Sequence, residues 1–197
     1  MREGTAPLIR REDYTAPAYW IRSVDLTFEL DPAKTLVINR MQVERNDDQP
    51  AQPLRLHGED ITVTRVLVNG DSVSFRHEDG RLVIDSLPDT PFTLEIRNIC
   101  APDKNTALSG LYQSGGGLFT QCEAEGFRRI TYYPDRPDVM ATFTTRIEAD
   151  KKLCPVLLGN GNLIDKGNLP GGRHFALWSD PFPKPCYLFA LVAGDLT

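Results

Sequence analysis

Between Val24 and Leu30 apolar and polar residues alternate without a break, with Val24, Leu26, Phe28 and Leu30 set against Asp25, Thr27 and Glu29. A period of two sends alternate side chains to opposite faces of an extended chain, so this segment is a strand with one buried face. Asp31-Pro32-Ala33-Lys34 then supplies turn chemistry and Thr35 to Val43 resumes extended character, which predicts an antiparallel hairpin. A second hairpin is predicted for Arg65-Val66-Leu67-Val68 and Ser72-Val73-Ser74-Phe75 around Asn69-Gly70, because Asn-Gly suits the positive φ angles of a two-residue turn. Further short runs lie at Leu82 to Ile84, Phe92 to Ile96, Ala141 to Ile147, Val156 to Leu158, His174 to Trp178 and Tyr187 to Val192. Gly, Pro, Asn or Asp bounds each of them, and no stretch carries convincing apolar spacing at 3.6 residues. The expectation is one all-β domain of about a dozen short strands, built as a sandwich or as a large curved sheet with smaller sheets packed on it.

Such a fold needs a core, and the chain can supply one. With 41% hydrophobic residues in 197, roughly eighty apolar side chains are available, so neither disulfides nor a metal is needed merely to stay folded. The 27 Asp and Glu exceed the 22 Lys and Arg, and no basic run offsets the excess; a phosphate backbone would be repelled, and nucleic acid is not an expected partner. The longest uncharged apolar run, Cys186 to Gly194, is far short of the roughly 20 residues that span a bilayer, so no membrane span is expected. At the N-terminus charge arrives early and no apolar stretch follows, which does not resemble a secretory leader. Cys100, Cys122, Cys154 and Cys186 form no C-x-x-C pair and read as free thiols. A cytoplasmic protein is expected.

Several local patterns invite chemistry and fail on inspection. His77-Glu78-Asp79-Gly80-Arg81 begins like the H-E-x-x-H of a zinc protease, but its fifth position is Arg81, which cannot replace the second imidazole. Asp79-Gly80 before Leu82-Val83-Ile84 predicts a hairpin turn instead. With only His57, His77 and His174 in the chain, and none in a ligand pair, a zinc site within these residues has little support. Cys122 as a nucleophile would sit beside Glu123 and Glu125, which raise a thiol pKa, so a packed thiol is expected. Gly115-Gly116-Gly117 lacks a following Gly-Lys-Ser/Thr and reads as a loop tip, not a phosphate cradle.

The most informative stretch is Gly110 to Asp138. Within it Gln121, Glu123 and Glu125 stand at a period of two, which would put three polar side chains on one face of an extended segment. Two readings stay open on this pattern alone: a solvated strand face, or a docking point for a cation.

Longer motifs add to this. L-Y-Q-S-G at Leu111 to Gly115, T-Q-C-E-A-E-G-F-R at Thr120 to Arg128, T-Y-Y-x-D-R-P-D at Thr131 to Asp138 and D-P-F-P-K-P-C-Y-L-F-A-L-V-A-G-D at Asp180 to Asp195 resemble the amino-terminal domain of the zinc-dependent aminopeptidase N family, particularly its bacterial branch. D-Y-x-A-P at Asp13 to Pro17 and D-L-T-F-x-L at Asp25 to Leu30 extend the likeness through essentially the whole chain. The resemblance implies a saddle-shaped, multi-sheet β domain covering a thermolysin-like catalytic domain of the same chain. It also implies that Glu123 binds the free α-ammonium of a peptide substrate and that Gln121 assists. In this family the peptide bond after that Glu is often cis, which at Glu123-Ala124 would break the alternation and point Glu125 elsewhere.

The family's H-E-x-x-H helix, its later Glu ligand and its G-A-M-E-N loop do not occur in these residues. The resemblance therefore implies an isolated amino-terminal piece with no metal ligand of its own, inactive alone, whose zinc would be held beyond Thr197. The competing expectation is a free-standing β-sandwich module for carbohydrate or another protein, with Tyr112, Tyr132, Tyr133 and Trp178 as a stacking platform.

Overall fold

A computed structural model describes residues 10–196. The leaderless reading of the first residues falls largely on 1–9, outside the described residues. The chain forms β1 (Tyr19–Glu29), β2 (Thr35–Arg45), β3 (Leu54–His57), β4 (Thr62–Val68), β5 (Asp71–Ser72), β6 (Arg76–Glu78), β7 (Arg81–Ile84) and β8 (Phe92–Cys100). There follow β9 (Gly110–Ser114), β10 (Gly117–Gln121), β11 (Met140–Asp150), β12 (Val156–Gly159), β13 (Asn162–Asn168), β14 (Arg173–Pro185) and β15 (Leu191–Gly194). The only helical pieces among the described residues are three-residue 3-10 turns. The all-β expectation holds.

Eight strands form one sheet in the order β13-β14-β11-β1-β2-β8-β4-β5, in which only β1 and β11 run parallel. A four-stranded sheet, β12-β15-β10-β9, and a three-stranded sheet, β3-β7-β6, share one buried core with it. Val24, Leu26 and Phe28 face that core as the alternation predicts. Upstream, Tyr19 and Ile21 also face inward although they occupy odd positions; a bulge between Ile21 and Ser23 absorbs the extra residue and restores the phase. The Asp31 turn forms because its carboxylate accepts the N–H groups of Ala33 (2.9 Å) and Lys34 (3.0 Å). Asn69 and Gly70 adopt φ of 52° and 92°, and Asp79 and Gly80 φ of 49° and 72°, so both predicted two-residue turns are present.

Two strand predictions need correction. The second hairpin stops early: β5 is two residues long, and after Val73 the chain leaves for the three-stranded sheet, where Arg76 pairs with Asp85 and Glu78. Ser72 and Ser74 have no apolar face to hold them on the large sheet. Tyr187 to Val192 is also not one strand. Cys186–Leu188 is a 3-10 turn and extended pairing begins only at Leu191, because the Cys186 and Phe189 side chains are both drawn inward.

Phe189 belongs to a ring cluster that seats the loop Cys122–Asp138 on the large sheet. Phe127, fully buried, lies 5.1 Å from Tyr133, 5.4 Å from Phe189 and 6.1 Å from Phe143, each edge to face, and Phe189 stacks on Phe28 at 5.9 Å. Replacing Phe127 removes the central ring and leaves a cavity between sheets. Phe127→Ala is expected to cost about 3–5 kcal/mol in unfolding free energy, read as a lowered urea midpoint with little change in slope.

Candidate functional site

β10 pairs with β9 on one side and β15 on the other, and Gln121 is its last residue. The chain then turns: the N–H of Gly126 donates to the Cys122 carbonyl at 2.7 Å, and a 3-10 turn follows over Phe127–Arg129. Only glycine fits at position 126, since a Cβ there would stand 2.2 Å from the Gln121 carbonyl oxygen. The Glu123–Ala124 peptide is cis. Residues 123–126 form a turn, so Gln121, Glu123 and Glu125 are not three steps along one strand face, and that expectation is corrected. Glu123 and Ala124 stand exposed at the turn, while Cys122 and Gly126 on either side are buried.

Polar contacts hold the turn from beneath. In the inward rows of β2 and β8, otherwise mostly apolar, Asn39 and Asn98 are fully buried. Asn39 Nδ2 donates to the Tyr132 carbonyl (3.2 Å) and Asn98 Nδ2 to the Ile130 carbonyl (2.8 Å), so side chains of the large sheet satisfy backbone groups of the loop. Asp135, its side chain 2% exposed, accepts the Arg128 backbone N–H (3.1 Å) and Nε–H (2.9 Å) on Oδ2 and the Cys186 thiol (3.1 Å) on Oδ1. His57 Nδ1 accepts the Asp135 N–H at 3.2 Å; burial, with the Arg128 and Arg81 charges, holds this imidazole below its ordinary range and thus neutral.

The charges around the turn are mostly spent on one another. Arg128 pairs with Glu125 (3.3 Å) as well as Asp135, Arg129 pairs with Glu59 and with Asp60 (2.5 Å), and Lys184 pairs with Asp180 (2.6 Å). The Glu123 carboxylate has no hydrogen-bond or ion-pair partner among the described residues. Gln121 lies beside it: its Nε2–H donates to the Glu123 carbonyl at 3.1 Å, which leaves the amide oxygen as a second open acceptor. Two acceptors, one charged, are what an ammonium group needs. A cleft of about 1080 Å3 lined by Arg55, His57, Arg81, Glu125, Arg128 and Arg136 lies nearby but does not include Glu123. No group of three or more His, Cys, Asp or Glu among the described residues is placed to hold a metal ion.

Other sequence candidates resolve plainly. Gly115 and Gly116 form the β9–β10 loop tip. His77 lies exposed in the β6–β7 hairpin, where its ring meets Phe75 and Tyr132. The stacking platform fails, because Tyr133 is fully buried and Tyr132 nearly so. Asp135 and Arg128 were not singled out from sequence; nor were Asn39 and Asn98, although an asparagine in an inward period-two row is a readable signal of a buried polar anchor.

Residues 18–188 match the family model of the peptidase M1 N-terminal domain. The chain belongs to that family. It is 57% identical to aminopeptidase N of Escherichia coli over 186 residues, spanning 94% of this chain and 21% of that one. It is 47% identical to aminopeptidase N of Caulobacter vibrioides over 199 residues, spanning 100% of this chain and 23% of that one. The structure superposes with a TM-score of 0.88 on a crystal structure of Legionella pneumophila aminopeptidase A in complex with aspartic acid, at 39% identity over 94% of this chain and 22% of that one. An M1 zinc metallopeptidase from Deinococcus radiodurans, 19% identical with a TM-score of 0.77, shares the fold. The chain thus spans about a fifth of the length of the aminopeptidase N relatives it matches.

Cys122 is inert by environment. Burial first, then the Asp135 charge, pushes its thiol from 9.0 up to about 12; burial does the same to Cys100. In the folded chain Cys122 should resist a thiol-specific aromatic disulfide reagent at pH 8 and react fully in denaturant. The linkage has a definite sign. With folded pKa values raised above the unfolded ones, the folded state holds more protons between about pH 9 and 12, so stability present below pH 9 is lost as pH climbs through that window. Urea midpoints measured from pH 8 to 11 should fall, and the fall should shrink in Cys100→Ala/Cys122→Ala.

Proposed function

We propose that this domain anchors the free α-ammonium of peptide substrates for a zinc aminopeptidase that removes single residues from peptide N-termini. Glu123 is the anchor and Gln121 its assistant. The observation that carries the reading is the open carboxylate of Glu123 on a turn where the surrounding acids are paired. An ammonium about 4 Å from a carboxylate gains on the order of 4 kcal/mol at an effective dielectric near 20. An internal peptide nitrogen carries no charge and gains nothing of the kind, so a carboxylate at the closed end of a pocket favours substrates whose chain begins there. That selection makes an exopeptidase.

The catalytic part of the intact enzyme, with the zinc and its ligands, belongs to the portion outside this span, which covers about a fifth of the aminopeptidase N relatives. It closes over the Glu123 turn. Leu188, 51% exposed, sits in the segment that leads into β15, whose Leu191 N–H donates to Thr120 Oγ1 at 2.8 Å one residue before Gln121. Phe182, 75% exposed, and Met140 lie on the neighbouring ends of β14 and β11. These side chains supply the apolar edge against which the catalytic part packs and excludes water. The span alone is inactive. Four unpaired thiols favour a reducing compartment, the cytoplasm, for the intact enzyme.

In the full-length enzyme, Glu123→Gln should lower kcat/KM for an unblocked aminoacyl anilide by about two orders of magnitude or more, with zinc content by metal analysis unchanged. Normal kinetics would remove Glu123 from the site. Cys122→Ser should stay within a few-fold of the parent, as a packed thiol that touches no substrate would.

A further inference from the structure

We propose that Asp135 is the positioning residue for Glu123. The inference rests on the anchoring role given to Glu123 and adds to it a buried group that touches no substrate. The turn that carries Glu123 holds itself together weakly: besides the Gly126–Cys122 hydrogen bond, its internal polar contact is the Gln121 side chain on the Glu123 carbonyl. Its position must therefore come from its two flanks. Asp135 fastens both.

On the downstream flank, Oδ2 takes both the backbone N–H and the Nε–H of Arg128, and the same guanidinium reaches the Asp135 carbonyl (3.3 Å) and Glu125 (3.3 Å) within the turn. Arg128 is thus held in backbone and side chain by a single carboxylate, and it passes that constraint to Glu125, two residues from Glu123. The pairing also spends Glu125, leaving one open carboxylate where two would compete for a cation. On the upstream flank, Oδ1 takes the Cys186 thiol. Cys186 opens the segment running to Leu191, and Leu191 exchanges hydrogen bonds with Thr120 Oγ1 at the end of β10. One carboxylate thereby ties the strand before the turn to the 3-10 turn after it.

The Asp135 carboxylate itself is buried, although Asp135 and Arg128 also border the cleft. Cys122, Tyr133, Cys186 and Lys184 are all buried around that carboxylate, and Lys184 is committed to Asp180, with its ammonium 5.0 Å from the centre of the Phe143 ring. No other cation is paired with Asp135 in the described residues, so Arg128 and Asp135 work as a unit. An amide in place of Asp135 keeps the shape but drops the charge that holds the Arg128 fork in place.

A double-mutant cycle on the full-length enzyme tests this, with kcat/KM for an unblocked aminoacyl anilide as the readout. Asp135→Asn alone should lower kcat/KM about tenfold or more, mainly through KM, with zinc content unchanged. In a Glu123→Gln background the same change should have little further effect, because there is no longer a carboxylate to place. If Asp135→Asn does not yield folded enzyme, Arg128→Lys, which keeps the charge and loses the fork, must show the same non-additivity. Losses that simply multiply in the double variant, or an unchanged kcat/KM in the single one, would overturn the role of Asp135 while leaving the anchor intact. Normal kinetics in Glu123→Gln alone would instead overturn the anchor itself.

Discussion

The structure depends on the burial of Phe127. Its ring touches those of Tyr133, Phe143 and Phe189, and Phe189 in turn stacks on Phe28, so one cluster joins β1 and β11 of the large sheet to the loop after β10 and to the approach to β15. A loop of this length would ordinarily run over the surface, where water satisfies its backbone. Here it is pulled inward by rings, and its carbonyls must be met by protein. Asn39 and Asn98 meet them from two adjacent strands. The apolar contact fixes the depth of the loop, and the two amides meet its backbone from the sheet beneath.

On that platform the electrostatics become selective. Buried and half-buried charges are tolerated only in pairs, and Arg128 with Asp135, Arg129 with Glu59 and Asp60, and Lys184 with Asp180 obey this. Glu123 stands outside these pairs, at the exposed bend, with no partner among the described residues.

Much of the fold was legible because a half-buried strand advertises itself. Val24 to Leu30, the Asp31 turn, and the Asn69-Gly70 and Asp79-Gly80 turns all follow from local chemistry, and each is present. Failures came where a distant contact overrode local preference. Tyr187 to Val192 breaks because Cys186 and Phe189 are recruited by residues far away in sequence, whereas the segment after Ser72 leaves its hairpin partner for want of an apolar face on Ser72 and Ser74. Strands β3, β9, β10 and β13 were not anticipated; β3 alternates strictly but over only four residues. The proposed anchor residues Gln121 and Glu123 were reached through long motifs rather than through their spacing, which suggested a flat polar face that the turn does not form.

Sequence by itself determined the all-β class and the family, since alternation, turn residues and ordered motifs are all written along the chain. It could not say which carboxylate is open. Glu59, Glu123, Glu125 and Asp135 are alike as letters, and only the fold brings Arg128 and Arg129 against three of them and leaves the fourth unpaired, because ion pairing depends on distances of a few ångströms between residues as much as seventy positions apart.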